Sequence, residues 1–330
     1  MMDAVRERFD RFAREEAPGR SDTYAEWAAG IASDAELQDL LSRISPQHRQ
    51  PPLVFAVSRI LGAPLGAYAR WRAFALANAA ELIAECERRT VQANEPLRLA
   101  ALLPALSQID GPVALLELGA AAGLCLYPDR YSYRVVDEHE AERLRLDPAD
   151  GPSTVVLTSV VRGPIPVLRM PEIVWRAGID LAPVDVRSAA DRAWMDALIW
   201  PGERERAARI TAAADIVAAD PPRLIAGDVA ERLDELVASA PRDATLVITT
   251  PGVLVYLPRA HRQALIDRIR ALDARWITID QPGLHDGWQP PLDAVAFAGF
   301  AVALDGRVCA DADPLGRWWE WRGGDRTASA

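Results

Sequence analysis

Five carboxylates and one glycine turn are the residues whose types and spacing could do chemistry in this chain. The run Val113-Ala-Leu-Leu-Glu117-Leu-Gly119-Ala-Ala121-Ala-Gly123 is apolar, then acidic, then built from small residues with glycines four apart. It reads as a buried strand feeding a tight turn, where small side chains let the backbone approach a ligand and a following helix start presents N–H groups. Two further acids end apolar runs downstream. Gly178-Ile-Asp180 places Asp180 where a carboxylate accepts both hydroxyls of a ribose, and Gly227-Asp228 repeats the arrangement. Asp137 competes for the ribose role because it lies twenty residues after Glu117, the offset of a short strand-helix-strand unit. Upstream, Gln92-Ala-Asn94-Glu95-Pro96 is a polar cluster opening an apolar helix. It reads either as a helix start capped by Asn94 or as Asn94, Glu95 and Arg98 facing a ligand across the glycine turn. Together these residues describe a nucleotide-type cofactor site.

The elements that must position them alternate in character along the chain. Segments 3–16, 34–43, 53–61, 70–89 and 96–109 carry helical spacing between Pro-Gly and Pro-Pro breaks, which predicts a helical cap subdomain over residues 1–110. Residues 111–322 then predict a Rossmann-like domain with an insertion at about 125–172. Candidate strands lie at 131–137, 153–158, 173–180, 222–228, 244–250 and 275–280, and helices at 188–219 (broken at Trp200-Pro-Gly), 229–239 and 259–271. The tail predicts an antiparallel strand pair around Asp305-Gly306, added to the edge of a mostly parallel α/β sheet, and a frayed, flexible end at 323–330. Trp194 and Trp200 are expected to pack rather than to stack on a ligand, and Tyr256 is expected in the core.

Composition closes several function classes. All 37 basic residues are arginine, so there is no lysine for a phosphate loop of the usual kind or for a Schiff base. Three scattered cysteines and four scattered histidines argue against a disulfide framework and a metal cluster. A net charge of -10 disfavours nucleic acid as a partner. No apolar run is long enough to span a membrane, and Met1-Met-Asp-Ala-Val-Arg lacks the apolar core of a signal peptide, so a cytoplasmic location is expected.

The ordered series Glu117-x-Gly119-x-x-x-Gly123, Gly178-x-Asp180, Gly227-Asp228 and strand 244–250 resembles class I S-adenosylmethionine-dependent methyltransferases. The resemblance implies S-adenosylmethionine as cofactor: the turn lies under its methionine part, Asp180 holds the ribose, Asp228 lies near the adenine amine, and Thr249 ends the strand beside the methyl group. Over most of its length the chain also resembles the uncharacterised bacterial DUF2332 family. That resemblance rests on Gln92-Ala-Asn94-Glu95, Asp129-Arg-Tyr131-x-Tyr133, Trp175-Arg-x-Gly178-x-Asp180-Leu-x-Pro183, Leu198-Ile-Trp200-Pro201, Arg206-x-x-Arg209 and Gly316-Arg-Trp-Trp-Glu-Trp321. Compared with that family, Cys125 stands for an asparagine, Ala182 for an asparagine, and Thr250-Pro251 for a His-Ser pair. The expectations are therefore a methyltransferase acting on a small-molecule acceptor, with a catalytically silent binding protein or scaffold as the alternative and an NAD(P)-dependent oxidoreductase as a weaker one. His285, in the polar loop Pro282-Gly-Leu-His285-Asp286, and Glu95 are the residues expected to position the acceptor, and Glu117, Gly119, Ala121, Gly123, Asp180, Asp228, Asn94 and Thr249 those expected to hold the cofactor.

Overall fold

A computed structural model describes residues 2–323 and divides the chain into two compact units, residues 1–93 with 185–208, and 94–184 with 209–330. In the first unit α1 (Met2–Arg11) runs into a π-helical turn (Phe12–Glu16) and is followed by α2 (Asp22–Ala32), α3 (Ala35–Ser42), α4 (Pro51–Ile60), α5 (Tyr68–Ala77) and α6 (Ala79–Arg88). The starts follow local chemistry: Ser21 accepts from the Tyr24 amide, Asp34 from those of Glu36 and Leu37, and Pro51 opens α4, where a missing N–H costs nothing. The predicted helix 70–89 is two helices, broken at Asn78, whose side chain donates to the Phe74 carbonyl. Helix α2 was not anticipated; its apolar residues Tyr24, Trp27, Ala28 and Ile31 do recur at helical spacing.

The second unit opens with α7 (Arg98–Leu106) and β1 (Pro112–Leu118). A single 3₁₀ turn (Leu124–Leu126) leads to β2 (Ser132–Val136), β3 (Glu142–Leu146), β4 (Val156–Arg162) and β5 (Glu172–Asp180). The chain then makes α8 (Ala189–Leu198), in the first unit, and α9 (Arg204–Ala219), which enters the second at Arg209. It continues through β6 (Arg223–Ala226), α10 (Val229–Ser239), β7 (Thr245–Pro251), α11 (Arg259–Arg270) and β8 (Arg275–Asp280), and ends in β9 (Phe300–Leu304), β10 (Arg307–Ala312) and β11 (Trp318–Trp321).

One eleven-stranded sheet runs β3-β2-β4-β11-β10-β9-β8-β7-β1-β5-β6. Its parallel half, β6-β5-β1-β7-β8, has the third-second-first-fourth-fifth order of a doubly wound fold, and its switch point lies between β1 and β7. Strands β9 and β10 form the expected antiparallel pair across Asp305-Gly306, but they do not end the sheet. β11 continues it to β4, so the segment predicted as an insertion at 125–172 supplies the far edge of the same sheet. Strand alternation sets two faces. Ala114, Leu116 and Leu118 of β1, Leu246 and Ile248 of β7 and Trp276 of β8 pack with Leu233 and Leu236 of α10 and Leu265, Ile266 and Ile269 of α11. Helix α7, buried along almost its whole length, lies against β4 and β8–β11.

The core of the first unit is aromatic: Tyr24, Trp27, Phe55, Trp71 and Trp200 make ring contacts 4.7–5.9 Å apart, and Trp194 and Trp200 pack as expected. The Arg20 guanidinium lies 3.6 Å over the Trp200 ring and pairs with Glu203 at 2.8 Å. The unit boundary falls after Ala93 rather than at 110, because α7 packs on the sheet. Of the predicted flexible tail, residues 324–330 lie outside the described residues. Among the described residues no helix is long and apolar enough to cross a membrane, and no group of side chains forms a metal cluster.

Candidate functional site

The glycine turn at the carboxyl end of β1 is held by its neighbours, amide by amide. Gly119 and Ala120 both donate to the Ile179 carbonyl at 2.8 and 3.1 Å, Ala121 donates to Asp180 Oδ2 at 2.8 Å, Ala122 to Asn94 Oδ1 at 3.0 Å, and Gly123 to the Ala120 carbonyl at 2.6 Å. Gly119 and Gly123 take left-handed φ values of 76° and 71°, and Ala121 takes 48° despite its Cβ, so alanine keeps the backbone shape a third glycine would allow more cheaply. The sequence placed a helix start here. The structure instead has the 3₁₀ turn, pinned by Tyr131 and Tyr133 hydroxyls donating to the Leu124 and Pro128 carbonyls and by Arg176, which binds Asp129 through both nitrogens at 2.8 Å and reaches the Leu126 carbonyl. These bonds account for the Asp129-Arg-Tyr-x-Tyr and Trp-Arg patterns.

The acids fall at the ends of three adjacent parallel strands. Glu117 sits on β1 between Gly178 of β5 and Thr249 of β7. Asp180 ends β5 and bridges the turn to its own loop, its second oxygen accepting from the Ala182 amide at 2.9 Å. Gly227 donates to the Asp180 carbonyl at 2.9 Å, which brings Asp228 alongside; Asp228 is exposed and caps α10 through the Ala230 amide. Asp137 belongs to the β2–β3 hairpin, where it accepts from the His139 and Ala141 amides. β2 is the second strand from the opposite edge of the sheet, so Asp137 is not among the acids that share the β1–β5–β6 end with Asp180.

Asn94 is no helix cap: its carbonyl oxygen holds Ala122, and its Nδ2 is buried without a partner among the described residues. Glu95, 1 % exposed, accepts from the Leu97 amide and from Arg209 Nε, both at 3.0 Å. Arg209 was not singled out by the sequence as a site residue; its signal was the Arg206-x-x-Arg209 spacing. Arg98 donates to the Pro251 and Pro314 carbonyls. Glu117 is buried, Oε2 has no partner among the described residues, and burial pushes its carboxyl up to about 8, with Arg98 pulling down and Asp180 pushing up.

His285 lies elsewhere. Thr249 shares a face of the sheet with Glu117, whereas Thr250, Thr278 and Asp280 alternate onto the α10–α11 face beside Trp276. There Trp276 donates to Thr250, Thr250 to Thr278, and Thr278 to Asp280 Oδ2. His285 Nε2 stands 3.6 Å from that carboxylate, Nδ1 accepts from the Gly287 amide, and the ring stacks on Trp288 at 4.1 Å. The loop expected to offer His285 to solvent buries it, and Glu95 and His285 are not brought together. Tyr256, expected in the core, is 73 % exposed on the short turn after β7. A cleft of about 670 Å³ opens instead at the end of β8, between Gln281, Pro282, Leu284, Phe300 and Pro314.

The family described as "uncharacterized protein conserved in bacteria (DUF2332)" matches residues 6–321. The chain belongs to this family. No curated protein and no solved structure matches it. In this DUF2332 member the family patterns quoted above divide between the two units: Leu198-Ile-Trp200-Pro201 builds the aromatic core of the first, where Arg206 pairs with Glu203, and Arg209, Asn94-Glu95 and the other patterns lie in the second. Gly316 shows why its position admits no side chain: a Cβ there would collide with the Leu97 carbonyl.

Proposed function

We propose that the α/β unit binds S-adenosylmethionine at the carboxyl ends of β6, β5 and β1, and that the protein transfers the methyl group to a small-molecule acceptor. The observation that carries this reading is the row of Asp228, Asp180 and Glu117 on three adjacent parallel strands beside the switch point. The donors and acceptors left over fit the cofactor. Asp180 stands beside the turn as the carboxylate suited to ribose hydroxyls, accepting from the Ala121 and Ala182 amides, and the exposed Asp228 suits an adenine amine. Unpartnered Glu117 Oε2 and Asn94 Nδ2 suit an ammonium and a carboxylate. The cofactor would supply an electrophilic methyl group on its sulfonium; the chain's part is to orient it and to exclude water, which suffices for an acceptor that is already a good nucleophile.

The dinucleotide alternative loses its support at the turn, where all five amides from Gly119 to Gly123 are engaged within the protein and none is left for a pyrophosphate. One observation favours a catalytically silent binding protein: His285 has its imidazole buried between Trp288 and Asp280, away from the Glu117 face. Calorimetry with S-adenosylmethionine and S-adenosylhomocysteine tests the binding claim. Wild type should give heat with both, and Asp180→Ala should lose at least tenfold in affinity; no heat with either ligand refutes it. Incubation with a metabolite extract, read by mass spectrometry for the gain of one methyl, separates the enzyme from the silent reading.

A further inference from the structure

Glu117 is a buried carboxyl that forms no ion pair among the described residues. Its strand neighbours in register, Gly178 and Thr249, carry no charge. The cation that acts on it among the described residues, Arg98 on α7, has Nε and Nη1 turned onto the Pro314 and Pro251 carbonyls at 3.1 and 2.8 Å. The other titratable groups facing it are Asp180 at the end of β5, the Cys125 thiol in the 3₁₀ turn and the Tyr131 phenol, none of which brings positive charge. An ionised carboxylate with a buried oxygen and no donor is costly, whereas the neutral acid is tolerated.

We propose that Glu117 is a neutral acid in the ligand-free protein and gives up its proton when a cationic group, an ammonium or a sulfonium, is set against its unpartnered oxygen. The O–H bond breaks, the proton passes to solvent, and the carboxylate pairs with the ligand cation. Burial, which holds this carboxyl at about 8, supplies the reservoir of proton at neutral pH. Such an acid favours positive charge: a cation draws off the proton and gains a carboxylate partner, an anion meets the neighbouring Asp180 carboxylate, and an uncharged ligand leaves the proton in place. The inference deepens the cofactor reading and rests on it for the identity of the cation, but the proton on Glu117 is a property of the free protein.

Two measurements test it. The infrared spectrum of the ligand-free protein at pH 7 should contain a protonated-carboxyl band that disappears in Glu117→Gln and returns, shifted, in Glu117→Asp. Calorimetry with S-adenosylmethionine at pH 7, in buffers of different ionisation enthalpy, should show release of about one proton per ligand by the wild type and none by Glu117→Gln. Wild-type affinity should rise about tenfold per pH unit up to pH 8 and then level off. A band unaffected by either substitution overturns the inference whatever the ligand does. Binding whose heat is the same in every buffer also overturns it and leaves the cofactor reading standing, whereas an intact band with no binding heat refutes the cofactor and keeps the neutral acid.

Discussion

Replacing Gly119 by alanine probes the turn at the position where two physical demands coincide. Its φ of 76° is left-handed, and a Cβ built there would stand 2.6 Å from Val253 Cγ2 and 2.8 Å from Val253 Cβ. The conformational demand costs ~1–2 kcal/mol for an L-residue. The second demand is steric and cannot be met by rotating a side-chain tip, because Val253 Cβ itself is too close; overpacking of this kind costs ~1–3 kcal/mol. Alanine recovers ~0.5–1 kcal/mol by stiffening the unfolded chain, so the net loss should be about 1–4.5 kcal/mol. Ala121 supplies the control within the same turn: it holds φ 48° as an alanine, so left-handed geometry alone is bearable here. Urea unfolding followed by circular dichroism should therefore show a lowered midpoint in Gly119→Ala, with an unchanged slope. Val253→Gly removes the obstructing atoms, so the double variant should be more stable than the sum of the two single changes by about 1–3 kcal/mol. Additivity within ~0.5 kcal/mol, or a Gly119→Ala protein as stable as wild type, would refute the packing argument.

Arg209→Ala takes the guanidinium from the buried Glu95 carboxylate and should cost about 3 kcal/mol in urea unfolding, with Glu95→Gln added to Arg209→Ala recovering part of it. His285→Ala removes a ring stacked on Trp288 and should cost about 2 kcal/mol while leaving S-adenosylmethionine affinity within twofold; a tenfold loss in calorimetry would put His285 back at the site. Because Glu117 has its proton affinity raised by folding, its contribution is fully present below the unfolded carboxylate range near 4.5 and is lost as pH rises to about 8. Glu117→Gln should thus gain on wild type by several kcal/mol between pH 5 and pH 8 in chemical denaturation; a pH-independent difference would show that the acid is ionised throughout.

Much of the parallel half of the fold is legible in residue order. The apolar runs ending in Glu117, Asp180 and Gly227-Asp228 are separated by helical spacings, and the rule that such units wind into one parallel sheet places their acids at one end without any knowledge of contacts. The 125–172 segment is not legible in that way, because β4 finds its partner in β11, more than 150 residues later, and no local pattern encodes that pairing. The helix expected after Gly123 fails for a local reason that is visible only afterwards: Leu124-Cys-Leu-Tyr-Pro128 brings a proline within one turn, and the Tyr131, Tyr133 and Arg176 side chains hold the chain in its short turn. His285 was misread because polarity of a loop is no measure of burial. Strand alternation, by contrast, was available in the sequence and separates Thr249 from Thr250 at once.

The missing helix has a chemical consequence for the whole site. In a doubly wound sheet the helix that follows β1 offers its free amides and its dipole to a phosphate. Here the chain leaves β1 through a 3₁₀ turn, and the amides of residues 119–123 close on Ile179, Asp180, Asn94 and Ala120. On the reading proposed above, recognition passes from backbone donors to side chains, with carboxyl oxygens at Asp180, Asp228 and, once deprotonated, Glu117, and an amide donor at Asn94. Oxygens of this kind accept from hydroxyls, amines and cations and repel phosphates. On that reading a ligand matched to this end of the sheet is rich in donors and carries positive charge, which is how an adenosyl sulfonium differs from a dinucleotide.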